Sequence, residues 1–73
     1  MQDIYSKINR RISQWISCAS SNRDFALSHN IDEKTVRRIL TGEYKISIRT
    51  LEKICEARNL SLSEFFKRIE KDK

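Results

Sequence analysis

The chain has 73 residues, which suffice for one domain around one small hydrophobic core. It contains one glycine and no proline, and 34% of its residues are charged, so the composition indicates a compact helical protein and excludes a linker or a disordered tail. The net charge of +5 comes from 15 Lys and Arg against 10 Asp and Glu, and it favours an anionic partner, with nucleic acid as the first candidate.

Several other classes of protein fit the sequence poorly. The N-terminal stretch is polar, and no apolar run approaches the roughly 18 residues of a membrane span, so we expect a cytoplasmic protein without signal peptide or membrane segment. Cys18, Cys55 and a single histidine are too few for a zinc site, and we expect no metal and no cofactor. The two cysteines are predicted to be reduced and mostly to fill the core, although the sequence leaves a disulfide open. We expect no enzyme, because His29 has no carboxylate pair or nucleophile around it.

The first helix is predicted at about residues 3–18. Its inward face should consist of the apolar residues that recur at helical spacing, Ile4, Ile8, Ile12, Trp15 and Ile16. Lys7, Arg10 and Arg11 lie on its outer side, where solubilising charges are a better interpretation than phosphate contacts.

Residues 22–42 are predicted to form two short helices, at about 22–29 and 33–41, joined by a tight turn. Ser21 is a suitable N-cap for the first, and Asn30 tolerates the left-handed backbone that such a turn needs. Asp32 stands at the N-cap of the second helix, where its carboxylate can accept backbone N–H groups, and Gly42 can adopt the positive φ that closes it. Two helices with a short angled turn form a helix-turn-helix, whose second helix can enter a DNA major groove.

The second of these helices combines an apolar stripe with a basic face. The stripe consists of three residues at i, i+3 and i+4, namely Val36, Ile39 and Leu40. At about 100° per residue, Lys34, Arg38 and Thr41 point away from it, with Arg37 beside them. Long cations suit guanine edges and phosphates, and a threonine suits a phosphate or a thymine methyl. Such a face alone is more often a solvated surface, but together with the turn and the cap it favours DNA recognition.

Two further helices are predicted at about 47–58 and 62–70. Ser47 caps the first, whose inner residues are Ile48, Leu51, Ile54 and Cys55. Ser61 and Glu64 match a capping box before the second, whose apolar side consists of Leu62, Phe65, Phe66 and Ile69. We therefore predict a single all-α domain over residues 1–73, with five helices and short connections.

Several pieces of the chain match one known family in order and spacing. The run SNRDFA from Ser21 corresponds to a helix 2 that opens with a small polar cap and Gln and continues with Leu-Ala. Asn30-Ile31-Asp32 corresponds to a Gly-Val turn followed by a Ser cap, and Gly42 to the Gly that closes the recognition helix. The stretch 47–66, SIRTLEKICEARNLSLSEFF, is the most similar to that family's helices 4 and 5. Over about residues 12–66 the chain thus resembles the phage repressor/Cro-like (XRE) domains, which implies a compact five-helix, lambda-repressor-like fold that binds DNA.

The resemblance also implies roles for individual residues. In this family the first two residues after the cap of helix 3, and one a turn later, usually contact base edges, which implies Glu33, Lys34 and Arg38. The residues that usually hold phosphates start helix 2 or follow helix 3; their counterparts here are Ser21, Asn22, Thr41 and Lys45, with Arg23 and Arg37 as electrostatic support. Glu33 replaces a common Gln, and it either accepts from a cytosine N4 or pairs with Arg37 at i+4.

A second departure concerns a buried ion pair. Many relatives have an Arg late in helix 1 that bridges to a Glu late in helix 3, whereas here Leu40 occupies the second position and Trp15 or Ile16 the first. Because apolar residues in place of a buried ion pair are often neutral or stabilising, we expect Leu40 to be buried.

The leading hypothesis is a sequence-specific DNA-binding transcriptional regulator, a repressor or a controller, that binds an inverted repeat as a homodimer. Phe65 and Phe66 point about 100° apart, so we expect one ring, with Leu62 or Ile69, to form a dimer interface. The alternative is a protein-interaction module, such as an antitoxin that binds a toxin and binds DNA only weakly.

Overall fold

The computed structural model describes residues 3–71, and this range contains five helices and no strand. They are α1 (Ile4–Ser17), α2 (Asn22–Ser28), α3 (Glu33–Leu40), α4 (Ile48–Ala57) and α5 (Leu62–Lys71). Every end lies within one residue of the predicted range. The predicted all-α, five-helix class is confirmed.

Four of the five helices begin at a side chain that accepts a backbone N–H from the first turn. Asp3 accepts from Ser6 at 2.8 Å, and serine hydroxyls cap α2, α4 and α5 at 3.0, 3.2 and 3.1 Å. Asp32 is the exception: it has the extended backbone of an N-cap, but its exposed carboxylate makes no capping hydrogen bond. The prediction that this carboxylate caps α3 is wrong, because the side chain stays in solvent while only the Asp32 carbonyl accepts, from Val36 N at 3.2 Å.

Two helices end in the same left-handed turn. Asn30 and Asn59 follow α2 and α4 with φ of 57° and 58°. One residue later, Ile31 N donates to Ala26 O at 3.0 Å and Leu60 N donates to Cys55 O at 2.8 Å. Each is the 6→1 hydrogen bond of a Schellman motif. The predicted left-handed conformation of Asn30 is confirmed, as is that of Gly42 with φ 81°.

The core lies between all five helices. Helix α3 packs against α1 and α2, while α5 packs against α1 and α4. The buried apolar side chains are those of Ile8, Ile12, Ile16, Phe25, Ala26, Val36, Ile39, Ile46, Leu51, Ile54, Cys55, Phe65 and Ile69. This packing buries the inner side of α3 and leaves its outer side exposed to solvent.

Three apolar residues that were predicted on the inner faces of helices are exposed. Ile4 is 43%, Leu40 44% and Ile48 59% accessible. Each is the first or last residue of its helix, where the helix extends past the neighbours that cover its middle. The expectation of a buried Leu40 is therefore wrong.

The apolar side of α5 is divided between core and surface. Phe65 and Ile69 are 0% and 1% accessible, and Phe65 lies 5.7 Å from the Trp15 ring, centroid to centroid. Phe66 and Leu62 are half-buried. Phe65 and Ile69 therefore have no surface to offer a second chain, and of the four candidate residues Phe66 and Leu62 are left for the predicted dimer interface.

Cys55 is buried and Cys18 exposed, and both are free thiols. The prediction of core-filling cysteines is confirmed for Cys55, whose burial raises the pKa of its thiol, and is wrong for Cys18. Among residues 3–71, no three His, Cys, Asp or Glu side chains are grouped so that they could hold a metal ion. None of the described helices has the length and apolar character that crossing a membrane requires.

Candidate nucleic-acid interface

Helices α2 and α3 and the turn between them pack together as one unit. Phe25 and Ala26 of α2 are buried together with Val36 and Ile39 of α3. The left-handed Asn30 reverses the chain over only four residues, 29–32. The sequence pattern of a small polar cap, a buried pair, a turn and a second short helix thus produces the predicted geometry.

His29 holds this turn from within. Its ring stacks on Phe25 with centroids 3.7 Å apart and an interplanar angle of 16°. Its Nδ1 lies 2.9 Å from Phe25 O and its Nε2 lies 3.2 Å from the Arg58 guanidinium. Since a carbonyl only accepts and a guanidinium only donates, Nδ1 carries the proton and Nε2 accepts. Burial, with Arg58 adding to it, lowers the pKa of His29, so the neutral ring is the stable form.

Arg58 connects the turn to α1. Its guanidinium carbon lies 4.1 Å from the centroid of the Trp15 ring, a cation–π contact, while the same side chain donates to His29. Trp15, His29 and Arg58 therefore join the end of α1, the turn and the end of α4. No local pattern in the sequence indicates this contact, because the three residues are far apart in the chain.

The outer face of α3 carries a basic stripe. Lys34, Arg37, Arg38 and Thr41 are all exposed and follow one another at i, i+3, i+4 and i+7, so they share one face within an arc of about 100°. This stripe lies opposite the buried Val36 and Ile39. The structure thus brings together these four of the predicted DNA contacts.

Glu33 lies on the flank of this stripe, about 90° from its centre by helical geometry. Its Oε2 is 3.3 Å from Nη1 of Arg37, and the two side chains are 42% and 62% accessible. Of the two alternatives for Glu33, the ion pair is the one present in the free protein.

The predicted phosphate contacts occupy two further places. Ser21, Asn22 and Arg23 stand at the start of α2, where Asn22 is half-buried and Arg23 exposed, and Ser21 Oγ accepts from Asp24 N. The exposed Lys45 stands in the loop after α3. The Ser21 hydroxyl can still make a further hydrogen bond, because its Oγ has two lone pairs and a proton and the capping bond uses one lone pair.

Thr41 closes α3 and begins that loop. Its hydroxyl donates to Arg38 O at 2.6 Å and accepts from Glu43 N at 3.2 Å. The Thr41 hydroxyl therefore shapes the loop backbone in the free protein, in addition to any contact with a phosphate.

A helix-turn-helix whose second helix has a buried inner side and a free, basic outer side is the architecture of a DNA-binding domain. Comparison with protein families agrees: the chain belongs to the Cro/C1-type HTH DNA-binding domain family, whose model matches residues 20–71. The match covers α2 to α5 completely and confirms the resemblance to XRE domains. It also places the chain in a family of DNA-binding domains rather than of enzymes. Comparisons with curated proteins and with solved structures gave no match.

Proposed function

We propose that this protein is a sequence-specific transcriptional regulator that binds an operator on double-stranded DNA in the cytoplasm. The observation that carries the proposal is the basic stripe of α3, which no other part of the described chain covers. Lys34 and Arg38 are one turn apart on the stripe, so both side chains can reach neighbouring base edges when α3 lies in the major groove. Arg38 and Lys34 suit the O6 and N7 acceptors of guanine.

The surrounding residues supply contacts that do not depend on sequence. Lys45 and Arg23 are exposed, the first in the loop after α3 and the second at the start of α2. Thr41 and the α2 N-terminal residues Ser21 and Asn22 add hydroxyl and amide groups suited to phosphate oxygens. Arg37 lies on the stripe but is bound to Glu33, so we assign it electrostatic support, and Glu33 a role in holding Arg37.

Phe66 and Leu62 support the proposal that the protein binds as a homodimer. Both are half-buried on α5 while their neighbours Phe65 and Ile69 complete the core. A two-fold pair would place two recognition helices about 34 Å apart, the spacing of successive major grooves on an inverted repeat. Sedimentation at micromolar concentration should therefore give about twice the chain mass of 8.7 kDa. Phe66→Glu should give a folded monomer with weak half-site binding, and wild-type protein that stays monomeric on operator DNA would contradict the dimer.

Random-site selection with the purified chain tests the function directly. Wild-type protein should enrich one motif with two-fold symmetry, and the doubly substituted Lys34→Ala, Arg38→Ala protein should enrich none while remaining helical by circular dichroism. The control is the doubly substituted Lys67→Ala, Lys71→Ala protein, which loses the same two positive charges from α5 instead of α3. It should still select the motif. Enrichment of no motif by the wild type would refute sequence-specific binding and leave a protein-interaction role.

A further inference from the structure

The loop that joins α3 to α4, residues 41–47, carries Lys45 and is fixed although it has no regular structure. At its start, the Thr41 hydroxyl binds Glu43 N, and Gly42 takes a positive φ. Near its end, the Ile46 side chain is buried in the core. Between these two points the loop backbone is held by one more contact, and that contact comes from α1.

Asn9 of α1 provides it. Its Nδ2 donates to the Tyr44 carbonyl at 2.7 Å, across 35 positions of sequence. The side chain is buried, with 1% of its surface accessible. The donor end of the hydrogen bond is therefore enclosed, while its acceptor belongs to the half-buried Tyr44.

The other end of the same amide has no partner. Asn9 Oδ1 is buried and, among the described residues, nothing donates to it. A buried amide oxygen without a donor is unfavourable, and asparagine is also a weak helix former. Packing alone would be served better by an apolar residue of similar size, so the hydrogen bond to Tyr44 is what distinguishes asparagine at this position.

The hydrogen bond fixes the peptide that leads into Lys45. With Tyr44 O bound to Asn9 and Ile46 in the core, Lys45 lies between two anchored neighbours while its own side chain remains exposed. A cation that projects from a fixed backbone loses less conformational freedom when it meets a phosphate than one on a loose loop.

We infer that Asn9 is a positioning residue for DNA binding, which through the Tyr44 carbonyl holds the 41–47 loop in the conformation that brings Lys45 to a phosphate. This inference rests on the proposed function. It assigns a role to α1, which lies outside residues 20–71 matched by the family model.

The test measures DNA affinity as a function of salt by fluorescence anisotropy. Lys45→Ala should lower the slope of log affinity against log salt by about 0.9, one phosphate contact. Asn9→Leu fills the same space and removes both the hydrogen bond and the orphaned oxygen. It should weaken binding to operator and random duplexes alike by about three- to tenfold, and it should lower the slope of log affinity against log salt. In the Asn9→Leu, Lys45→Ala double variant, the loss of affinity should be smaller than the product of the two single losses, because the first substitution already misplaces Lys45.

Matched controls separate positioning from stability. Ile12→Val removes one methylene from the fully buried α1 residue one turn on, and it should lower the melting temperature while leaving the salt slope unchanged. Asn9→Ser, too short to reach the carbonyl, should reproduce the DNA effects of Asn9→Leu and serves if the leucine variant does not fold. In the wild type, the Asn9 Nδ2 protons should exchange with D₂O far more slowly than those of the exposed Asn30.

Three results would overturn the inference. The first is that Asn9→Leu or Asn9→Ser protein binds DNA with the affinity and salt slope of the wild type. The second is that the losses of affinity caused by the Asn9 and Lys45 substitutions multiply in the double variant, as independent effects do. The third is that the Asn9 Nδ2 protons exchange as fast as those of Asn30. In each of these cases DNA binding by the wild type itself preserves the proposed function. Wild-type protein that binds no DNA would refute both.

Discussion

The ion pair between Glu33 and Arg37 engages one of the three cations of the basic stripe. The two groups are 3.3 Å apart and both reach solvent. Glu33 also lies on the flank of the stripe rather than at its centre, which is a poor position for reading a base. We therefore predict that Glu33→Gln strengthens binding to every DNA sequence.

The size of the effect follows from two contributions. A carboxylate about 10 Å from one phosphate in water costs about 0.4 kcal/mol, so its removal is worth about twofold in affinity. If the released Arg37 then meets a phosphate, the slope of log affinity against log salt should steepen by about 0.9. The fold should lose little: an exposed i,i+4 pair contributes about 0.3–0.5 kcal/mol, and an acid in the first turn of a helix about 0.3–1 kcal/mol.

Anisotropy titrations between low and physiological salt, with the selected operator and a scrambled duplex, measure both quantities. Glu56→Gln is a matched control, because it removes one exposed carboxylate from α4 and leaves the Glu33–Arg37 pair intact. A tenfold loss on the operator with no change on the scrambled duplex would refute the reasoning. In that case Glu33 accepts from a cytosine, and the ion pair is only its resting partner.

Three further predictions follow from the described geometry. Arg38→Ala should cost about 1–3 kcal/mol on the operator and relax preference at one base pair, measured by competition with single-base variants, whereas an equal loss on random DNA would refute base reading. Leu40→Glu should cost about 1 kcal/mol in urea denaturation, since Leu40 is 44% exposed, and a loss of several kcal/mol would show that the side chain is buried. His29 has a lowered pKa, so its contribution to stability is fully present above its ordinary pKa near 6.5 and is lost as the pH falls below it. As the pH falls below about 6.5, urea midpoints of the wild type should therefore drop more steeply than those of His29→Gln, and parallel curves would contradict a buried neutral ring.

Local signals were sufficient to predict the helices and most of their ends. Ser21, Ser47 and Ser61 each accept a backbone N–H, as their positions before an apolar periodic run indicate. Asn30 and Gly42 adopt the left-handed backbone that their residue types favour. These features depend on a few adjacent residues, so the sequence contains all that is needed to predict them.

Helical periodicity identified the inner face of each helix but not how far along the helix that face is covered. Ile4, Leu40 and Ile48 lie on predicted inner faces and are exposed, because coverage depends on where the neighbouring helices end. Likewise, adjacent Phe65 and Phe66 predict that the rings diverge, and only the packed structure shows that Phe65 is the buried one.

Contacts between distant residues were not predictable from the sequence. The Asn9 bond to Tyr44 spans 35 positions and the His29 contact with Arg58 spans 29, and neither pair belongs to a local pattern. Both involve buried polar groups, whose partners can be identified only when the elements are in place. They determine the conformation of the two segments that flank α3, which are the turn before it and the loop after it.

Helix α1 reaches the turn through Arg58, and this contact differs in kind from the buried ion pair that the resemblance implies. Leu40 is exposed, and Trp15 instead packs on Phe65 and supports the Arg58 guanidinium, which donates to His29 in the turn. A buried ion pair must desolvate two charges, whereas Arg58 remains exposed and contacts an aromatic face and a neutral acceptor. The turn is thereby held from the surface by a single cation whose partners carry no opposing charge, so this contact should weaken little with salt. Salt dependence measured on DNA should accordingly report phosphate contacts and not loss of the turn.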